Sequence, residues 1–433
     1  MKNKITSVFI SIILSVLFII GLVYSVEAEK NDSTKQFYFI KNEINSGVVF
    51  SGNNEREELR NDLFTIKEEL FTGSVKYRIG SQFWNLLDNK QEELNFNFET
   101  GPLFGSGSFI DSSANNVIKS DHNIYGLRTN ASLGYSSRFY YDRKNYTLVN
   151  INGWARYDLY KQASEGTLLD SNLVISDYNQ TDNKDKLRYG FQAKAGWGFG
   201  WLNPMNHFMV AEYLMDKYYK GRVFSKIELE NLAYEIGKIK LARNTKSENL
   251  SEKELETISD FLSSKMMLSP PENLEKDWEM GEFRPRLNGK RFEFGPFFNY
   301  YNREPDFIYG GFIEFKNHAY QNFNRTRNLS VNLNYNRYKK QDWILLETDF
   351  GWSIYPNLKT QFDFGLKYVP GVVVNGFENI ETIKHNFIPY IEYFTQVNSK
   401  ARVNFAFAWK ITDSDQFMLA GPEFSLAVYR SRY

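Results

Sequence analysis

The chain has 433 residues, 52 Lys plus Arg balanced by 52 Asp plus Glu, no cysteine, and 17% aromatic residues. A zero net charge argues against an electrostatic nucleic-acid binder, whose footprint is a basic excess. Without cysteine there is no disulfide framework, no thiolate metal site and no lipoprotein-type acylation site.

At the N-terminus, Lys2 and Lys4 precede an apolar run from Ile5 to Tyr24 and a small-residue site, Val26-Glu27-Ala28. This predicts a signal peptide cleaved after Ala28; the alternative is a retained anchor helix, since the run is long for a signal peptide. No later run of about 18 apolar residues occurs, so any further membrane crossing falls to strands. The expected organisation is a signal peptide at 1–28, N-terminal barrel strands at 29–201, a helical insertion at 202–275 and C-terminal barrel strands at 276–433.

Alternating segments follow near 36–50, 71–85, 93–106, 122–141, 145–162 and 185–201. In the last, Leu187, Tyr189, Phe191, Ala193, Ala195, Trp197 and Phe199 share one face, because side chains alternate across a strand. Gly196, Gly198 and Gly200 alternate with Trp197, Phe199 and Trp201, which reads as small lumen-facing residues opposite an aromatic girdle. The glycines of LFGSGS around Ser106 mimic part of a nucleophile elbow, but the strand-to-helix context is missing, and a loop is expected there.

From Leu202 the period changes. Asn203-Pro204 reads as an N-cap with proline at the first helical position, and Phe208, Ala211, Leu214, Met215 and Tyr218 recur at helical spacing. Ser225-x-x-Glu228 and Ser251-x-x-Glu254 are capping-box patterns, opening runs of Ile227, Leu232, Ile236, Ile239 and of Leu255, Ile258, Phe261, Leu262. Three helices are therefore predicted, ended by Pro270-Pro271. By the strand count the insert lies on the periplasmic side or is folded up into the lumen.

Eight more alternating segments run near 290–303, 307–320, 326–340, 342–355, 357–370, 383–397, 400–411 and 417–433. Thr360, Phe362, Phe364, Leu366 and Tyr368 oppose Lys359, Gln361, Asp363, Gly365 and Lys367; Val403, Phe405, Phe407 and Trp409 oppose Arg402, Asn404 and Lys410. Each exceeds the roughly 9–11 residues that a tilted bilayer-crossing strand needs. A charge facing lipid costs about 2–4 kcal/mol at the midplane, so the polar face must point inward. The expected fold is an all-β antiparallel transmembrane barrel of about 14 strands, with 12 and 16 as alternatives.

The inward set on this register is Arg188, Lys194, Glu293, Glu314, Lys316, Glu347, Asp349, Lys359, Asp363, Lys367, Glu392, Arg402 and Lys410. Mixed signs read either as the wall of a water-filled pathway or as ion pairs that hold a closed lumen shut. His122, His207, His318 and His385 show no metal-ligand spacing, so no metal, no cofactor and no catalytic residues are expected, and the chain reads as a non-enzyme.

The alternating strands, the signal peptide and the final Tyr433 make the mature chain resemble a Gram-negative outer-membrane β-barrel of the porin-like class. The resemblance implies lipid and the barrel-assembly machinery as partners, the latter through an aromatic C-terminal strand. Tyr429 and Tyr433, with Ala427, match that assembly signal, and Ser431 departs from it. GWGFGWLNPMNHFMVAEYLMDKYYKG and KIELENLAYEIGKIKLAR are similar to a strand-plus-helices segment of uncharacterised outer-membrane proteins of Bacteroidetes-like bacteria. The expected role is a channel or transporter for small polar solutes, gated by the insert. The alternative is a non-conducting structural or assembly barrel whose insert docks a periplasmic or envelope-polymer partner.

Overall fold

The computed structural model describes residues 39–60, 64–87, 89–113, 116–142, 144–170, 174–245, 251–278, 280, 284–302, 307–338, 341–375, 379–398, 400–413 and 418–432. The segment expected to be a signal peptide and the final Tyr433 lie outside these residues.

Six long strands come first: β1 (Phe39–Arg60), β2 (Phe64–Leu86), β3 (Lys90–Ser113), β4 (Val117–Tyr140), β5 (Asn145–Leu169) and β6 (Ile175–Pro204). Four helices follow: α1 (Asn206–Tyr218), α2 (Lys226–Thr245), α3 (Ser251–Lys265) and α4 (Leu274–Trp278). The second set of strands is β7 (Leu287–Tyr301), β8 (Phe307–Asn322), β9 (Arg325–Tyr338), β10 (Gln341–Asn357), β11 (Thr360–Tyr368), β12 (Gly371–Asn375), β13 (Asn379–Ile380), β14 (Asn386–Asn398), β15 (Ala401–Thr412) and β16 (Gly421–Arg432).

Neighbouring strands pair antiparallel from β1 to β11, then through β14, β15 and β16, and β16 returns to β1 over Ile44↔Arg432 to Asn53↔Glu423. The result is a closed barrel of 14 strands. Closure removes the sheet edges, whose unpaired backbone groups hydrocarbon cannot satisfy. The short strands β12 and β13 form an excursion between β11 and β14 that pairs back onto the top of β10.

The two halves differ in height. Strands β1 to β6 run from 22 to 30 residues, whereas the barrel strands from β7 onward run from 9 to 17. β6 pairs with β7 only from Gly190 to Pro204, so its first part, Ile175 to Tyr189, is paired on the β5 side alone. The first six strands therefore stand above the rest at the end opposite the chain termini.

The outside of the wall is apolar. Phe96, Leu133, Ile151, Phe191, Phe294, Ile313, Phe364 and Trp409 all lie exposed, and each alternates with a residue of the other face. Such an arrangement is stable only where hydrocarbon wets that face. Trp197 and Phe199 are exposed on this side, while Gly196 and Gly198 are buried on the other. Ser106 is not in a loop; it sits within β3, opposite Asn123 of β4.

The insert is packed the ordinary way, apolar inward. Met209, Ala211, Leu232, Ala233, Ile236, Ile258, Leu262 and Trp278 form a core with almost no exposure. Four helices, rather than three, build it: the chain continues past Pro270-Pro271 into α4, because Trp278 completes that core. Asn203-Pro204 does not cap the first helix; both remain in β6, and Met205 takes the N-cap position. The first capping box forms as expected, with Ser225 N–H donating to Glu228 Oε2 (2.8 Å) and Glu228 N–H to Ser225 Oγ (3.3 Å). Ile227, expected on the inner face, is exposed. Glu254 is drawn into the core, where its Oε2 accepts the Trp278 indole N–H (2.8 Å).

Candidate functional site

Going round an antiparallel ring, connections alternate between its two ends. The connections β2–β3, β4–β5, β8–β9, β10–β11 and β14–β15 share one end with the start of β1, the finish of β16 and the helical insert. The insert thus hangs from β6 and β7 at the end of the termini.

Two glycines make that junction. Gly200 and Gly289 have φ of +99° and +129°, and a Cβ there would sit 2.3 Å from the Lys290 carbonyl oxygen or 2.2 Å from that of Trp201. Only glycine allows the two strands to bend this closely where the chain leaves and rejoins the wall. Beyond them Asn206, fully buried, clamps departure to return: its Oδ1 accepts the Arg286 N–H (2.8 Å) and its Nδ2 donates to the Arg284 carbonyl (2.7 Å).

From this stalk the insert reaches across the mouth. The His207 ring lies 6.3 Å from that of Phe39 on β1, and α2 also packs on β1. Phe208 meets Tyr320 of β8 edge-on at 5.9 Å, and Glu212 accepts a hydrogen bond from the Tyr320 hydroxyl. Strands β1 and β8 lie seven places apart in a ring of 14, so these contacts are on opposite walls. Two further contacts enter the lumen: the Arg286 guanidinium stacks 3.9 Å over Tyr355 of β10, and Arg284 pairs with Glu392 of β14 at 3.7 Å.

Within the insert, Lys217 and Asp277 pair at 2.5 Å and Tyr218 donates to the same carboxylate (2.8 Å). Burial, then the Asp277 carboxylate, pushes the Tyr218 hydroxyl up to about 12. Burial also raises the Glu212 carboxyl above its ordinary value, against the opposing effect of the Tyr320 hydrogen bond.

The polar face of the wall carries the charged set. Glu293, almost fully buried, accepts from Arg138 Nε (2.6 Å) and from the Tyr146 hydroxyl (3.0 Å), and pairs with Arg291 at 2.9 Å. Arg402 pairs with Glu43 at 2.6 Å. Glu314 pairs with Lys316, Lys410 with Glu423 at 2.6 Å, and Lys367 with Asp349 at 3.7 Å, which also accepts the Tyr390 hydroxyl (2.9 Å). Lys194 lies 4.9 Å over the Phe312 ring, and Asp363 accepts from Gln361. Arg188 lines a small cavity with Arg128, Asp158 and Lys186 high in the tall half. Glu347 shares the face of Asp349, opposite the exposed Phe350.

Lys359 departs from the expected set. It lies in the tight β10–β11 turn, where its N–H donates to Asn357 Oδ1 (2.8 Å), and so is not part of the wall. Tyr429 lies on the polar side: its hydroxyl accepts from Arg78 (2.9 Å) and the Arg402 guanidinium stacks 5.2 Å from its ring. The exposed row of β16 is Phe424, Leu426 and Val428.

Sequence reasoning missed Asn206, Arg284, Arg286, Arg138 and Tyr320. Arg138 was legible by parity with its strand. The others serve the insert, whose contacts with the wall leave no periodic trace. The four histidines are dispersed, and among the described residues no three of His, Asp and Glu gather as a metal would require.

Space remains above the insert. Trp154, on the same face of β5 as the buried Asp158 and Tyr146, is 40% exposed. Fourteen strands about 4.8 Å apart and tilted about 40° enclose a cylinder on the order of 25–30 Å across the backbone, more than one layer of side chains fills.

No protein-family model and no curated protein matches the chain. Among solved structures it is similar to the low-pH structure of Pseudomonas putida OprB, at 9% identity over 91% of this chain and 93% of that one, with a TM-score of 0.31. It is also similar to a bacterial polysaccharide outer membrane secretin (7%, 90% and 98%, TM-score 0.32) and to an outer membrane channel from Pseudomonas putida F1 (9%, 94% and 100%, TM-score 0.28). Likeness at this level assigns no role. The barrel rests on its own strand pairing and apolar exterior, which are those of an outer-membrane type of β-barrel.

Proposed function

We propose that this protein is an outer-membrane channel for small polar solutes, closed at its periplasmic end by the helical insert. One observation carries the reading: the insert is anchored on β1 and β8, opposite points of the ring, so a solute leaving the lumen at that end must displace it or pass beside it. The polar, mixed-sign wall and the exposed Trp154 inside support a hydrated pathway above this cover. Because acidic and basic groups line the same lumen, the expected ion selectivity is weak. Alternation of tight connections with the termini at one end supports placing that end in the periplasm.

The test is conductance in planar bilayers for the full chain and for a variant in which residues 206–284 are replaced by a short Gly/Ser linker. The proposal expects rare openings for the full chain and sustained openings for the variant. Equal silence in both favours the second reading, a scaffold whose insert recruits a partner. That reading has its own support in the insert's exposed Val223, Ile227 and Met267.

A further inference from the structure

The inner face of β5 and β6 carries a short ladder of side chains whose order is fixed by the strand register. Asn152 faces Gln192, Trp154 faces Gly190 and Arg156 faces Arg188. Residues two apart share a face of a strand, so these positions look into the lumen together with the buried Asp158. Toward the long-strand end the wall thus presents amides, then one indole, then two guanidiniums. The ladder lies level with the lip of the shorter half, because β7 ends at Tyr301, which faces Gly190.

Each row offers a ligand something different. Gly190 makes the seat of the exposed Trp154 ring, since an added Cβ there would lie 3.2 Å from the indole nitrogen, and Tyr301 stands 6.4 Å away at 46°. Asn152 is exposed beneath it. Arg156 and Arg188 are directly opposite each other, and like charges so placed repel unless an anion lies beside them. Asp158 supplies one, accepting from Arg156 Nε (2.8 Å), but the same carboxylate also accepts from Arg128 Nε (2.8 Å). The small cavity next to this row is lined by four cationic side chains, Arg128, Arg156, Lys186 and Arg188, and two carboxylates, Asp158 and Glu68, the latter paired with Lys186 at 3.2 Å. The flanks add no acid: Ser132 and Asn130 of β4 face Trp154 and Arg156, and Asn299 of β7 faces Gln192. In the row below, Asn150 faces Lys194, a further cation.

We infer that this ladder binds a small sugar acid, with its carboxylate at Arg156 and Arg188, the face of its ring on Trp154 and its hydroxyls at Asn152 and Gln192. Guanidinium forks match a carboxylate bidentately, an exposed indole gives a flat apolar surface to a ring, and amides donate and accept as hydroxyls require. Successive inward rows lie about 7 Å apart along a strand, so with the reach of the long Arg side chains the ladder suits one or two sugar rings. An inorganic anion leaves the indole unused, and an aromatic acid leaves the amides unused. The inference rests on the hydrated lumen proposed above and names a substrate class for it. Weak selectivity among simple ions is unaffected, because charges of both signs line the rest of the wall.

Tryptophan fluorescence of the full chain in detergent micelles, titrated at constant ionic strength with glucuronate, glucose, inorganic phosphate and benzoate, tests it. Saturation-transfer NMR on the same samples detects binding that leaves the fluorescence unchanged, and heat-modifiable migration on a gel verifies that each variant has folded. Glucuronate should bind saturably and more tightly than the other three probes, and Trp154→Phe should remove most of the fluorescence change. Arg188→Gln should weaken binding by about tenfold, as for a hydrogen bond between charged groups. Should that variant fail to fold, Arg188→Lys keeps the charge, loses the fork and should still bind more weakly than the wild type. No binding of glucuronate by either readout, equal or tighter binding of glucose, phosphate or benzoate, or wild-type affinity in the folded Arg188 variant would each overturn the inference. Neither readout needs an open pore: binding by a chain that never conducts upholds the site and removes the pathway, and conduction without binding does the reverse.

Discussion

The wall and the insert of this molecule obey opposite solvents. In the insert, Ile236 and Trp278 form an apolar core, and the few charges buried beside it are partnered: the Lys240 ammonium lies 4.8 Å over the Trp278 ring and donates to that residue's carbonyl (2.9 Å), Glu254 accepts the Trp278 indole N–H, and Asp277 pairs with Lys217. In the wall, Phe364 and Leu133 face outward and Glu293 and Glu43 are buried within. One chain therefore holds two kinds of core, one built from dispersion and water exclusion, the other from paired charges set beside an apolar cluster of Tyr140, Tyr146, Leu148, Phe297, Ile308 and Phe312. The comparison shows that what is inside depends on what is outside.

Breaking one wall pair should have the largest effect. Glu293→Ala leaves Arg138 and Arg291 facing each other in a buried site, an expected loss of about 3–5 kcal/mol in barrel stability, read from urea unfolding in lipid vesicles. The insert fails by the other route. Ile236→Ala opens a cavity in its core and should cost about 2–5 kcal/mol there while the barrel stays folded, seen as protease cutting confined to residues 205–286. Phe364→Arg places a charge against hydrocarbon and should cost about 2–4 kcal/mol, whereas a charge at exposed Ile227 of the insert should cost almost nothing.

The smallest effect is a pH dependence of docking. Burial holds the Glu212 carboxyl above its ordinary 4.5 when the insert is docked. The docked state thus binds this proton more tightly than the free one. Its contribution is full below about 4.5 and is lost as pH rises through the raised value. An environment-sensitive label on α1 should report tighter docking in mild acid than at neutral pH, and Glu212→Gln should flatten the response.

How much of this was legible depended on whether a face was apolar. The strands from β7 onward and the lower parts of β1 to β6 carry an apolar row on one face, so their positions could be read, and with them the face that Glu293, Asp349 and Arg402 share; that second face is less regular, since Phe297, Ile308 and Phe312 also lie on it. The upper part of β6, from Ile175 to Lys186, is polar on both faces, so no alternation marks it as strand and the height of the first half went unseen. Lys359 misled because the alternation of β11 continues unbroken into the turn that Asn357 closes. The helices of the insert declared themselves by period and by one capping box. Their seat across the mouth did not, since it depends on single contacts such as Asn206 with Arg286 and Glu212 with Tyr320, which carry no repeat.

The central claim is that the insert, seated against opposite walls, decides whether the lumen conducts. Because the chain has no cysteine, Glu212→Cys and Tyr320→Cys can be joined by a short, reducible thiol cross-linker and observed in one bilayer before and after reduction. The cross-linked protein should be silent and the reduced protein should open; identical currents in the two states would contradict the claim.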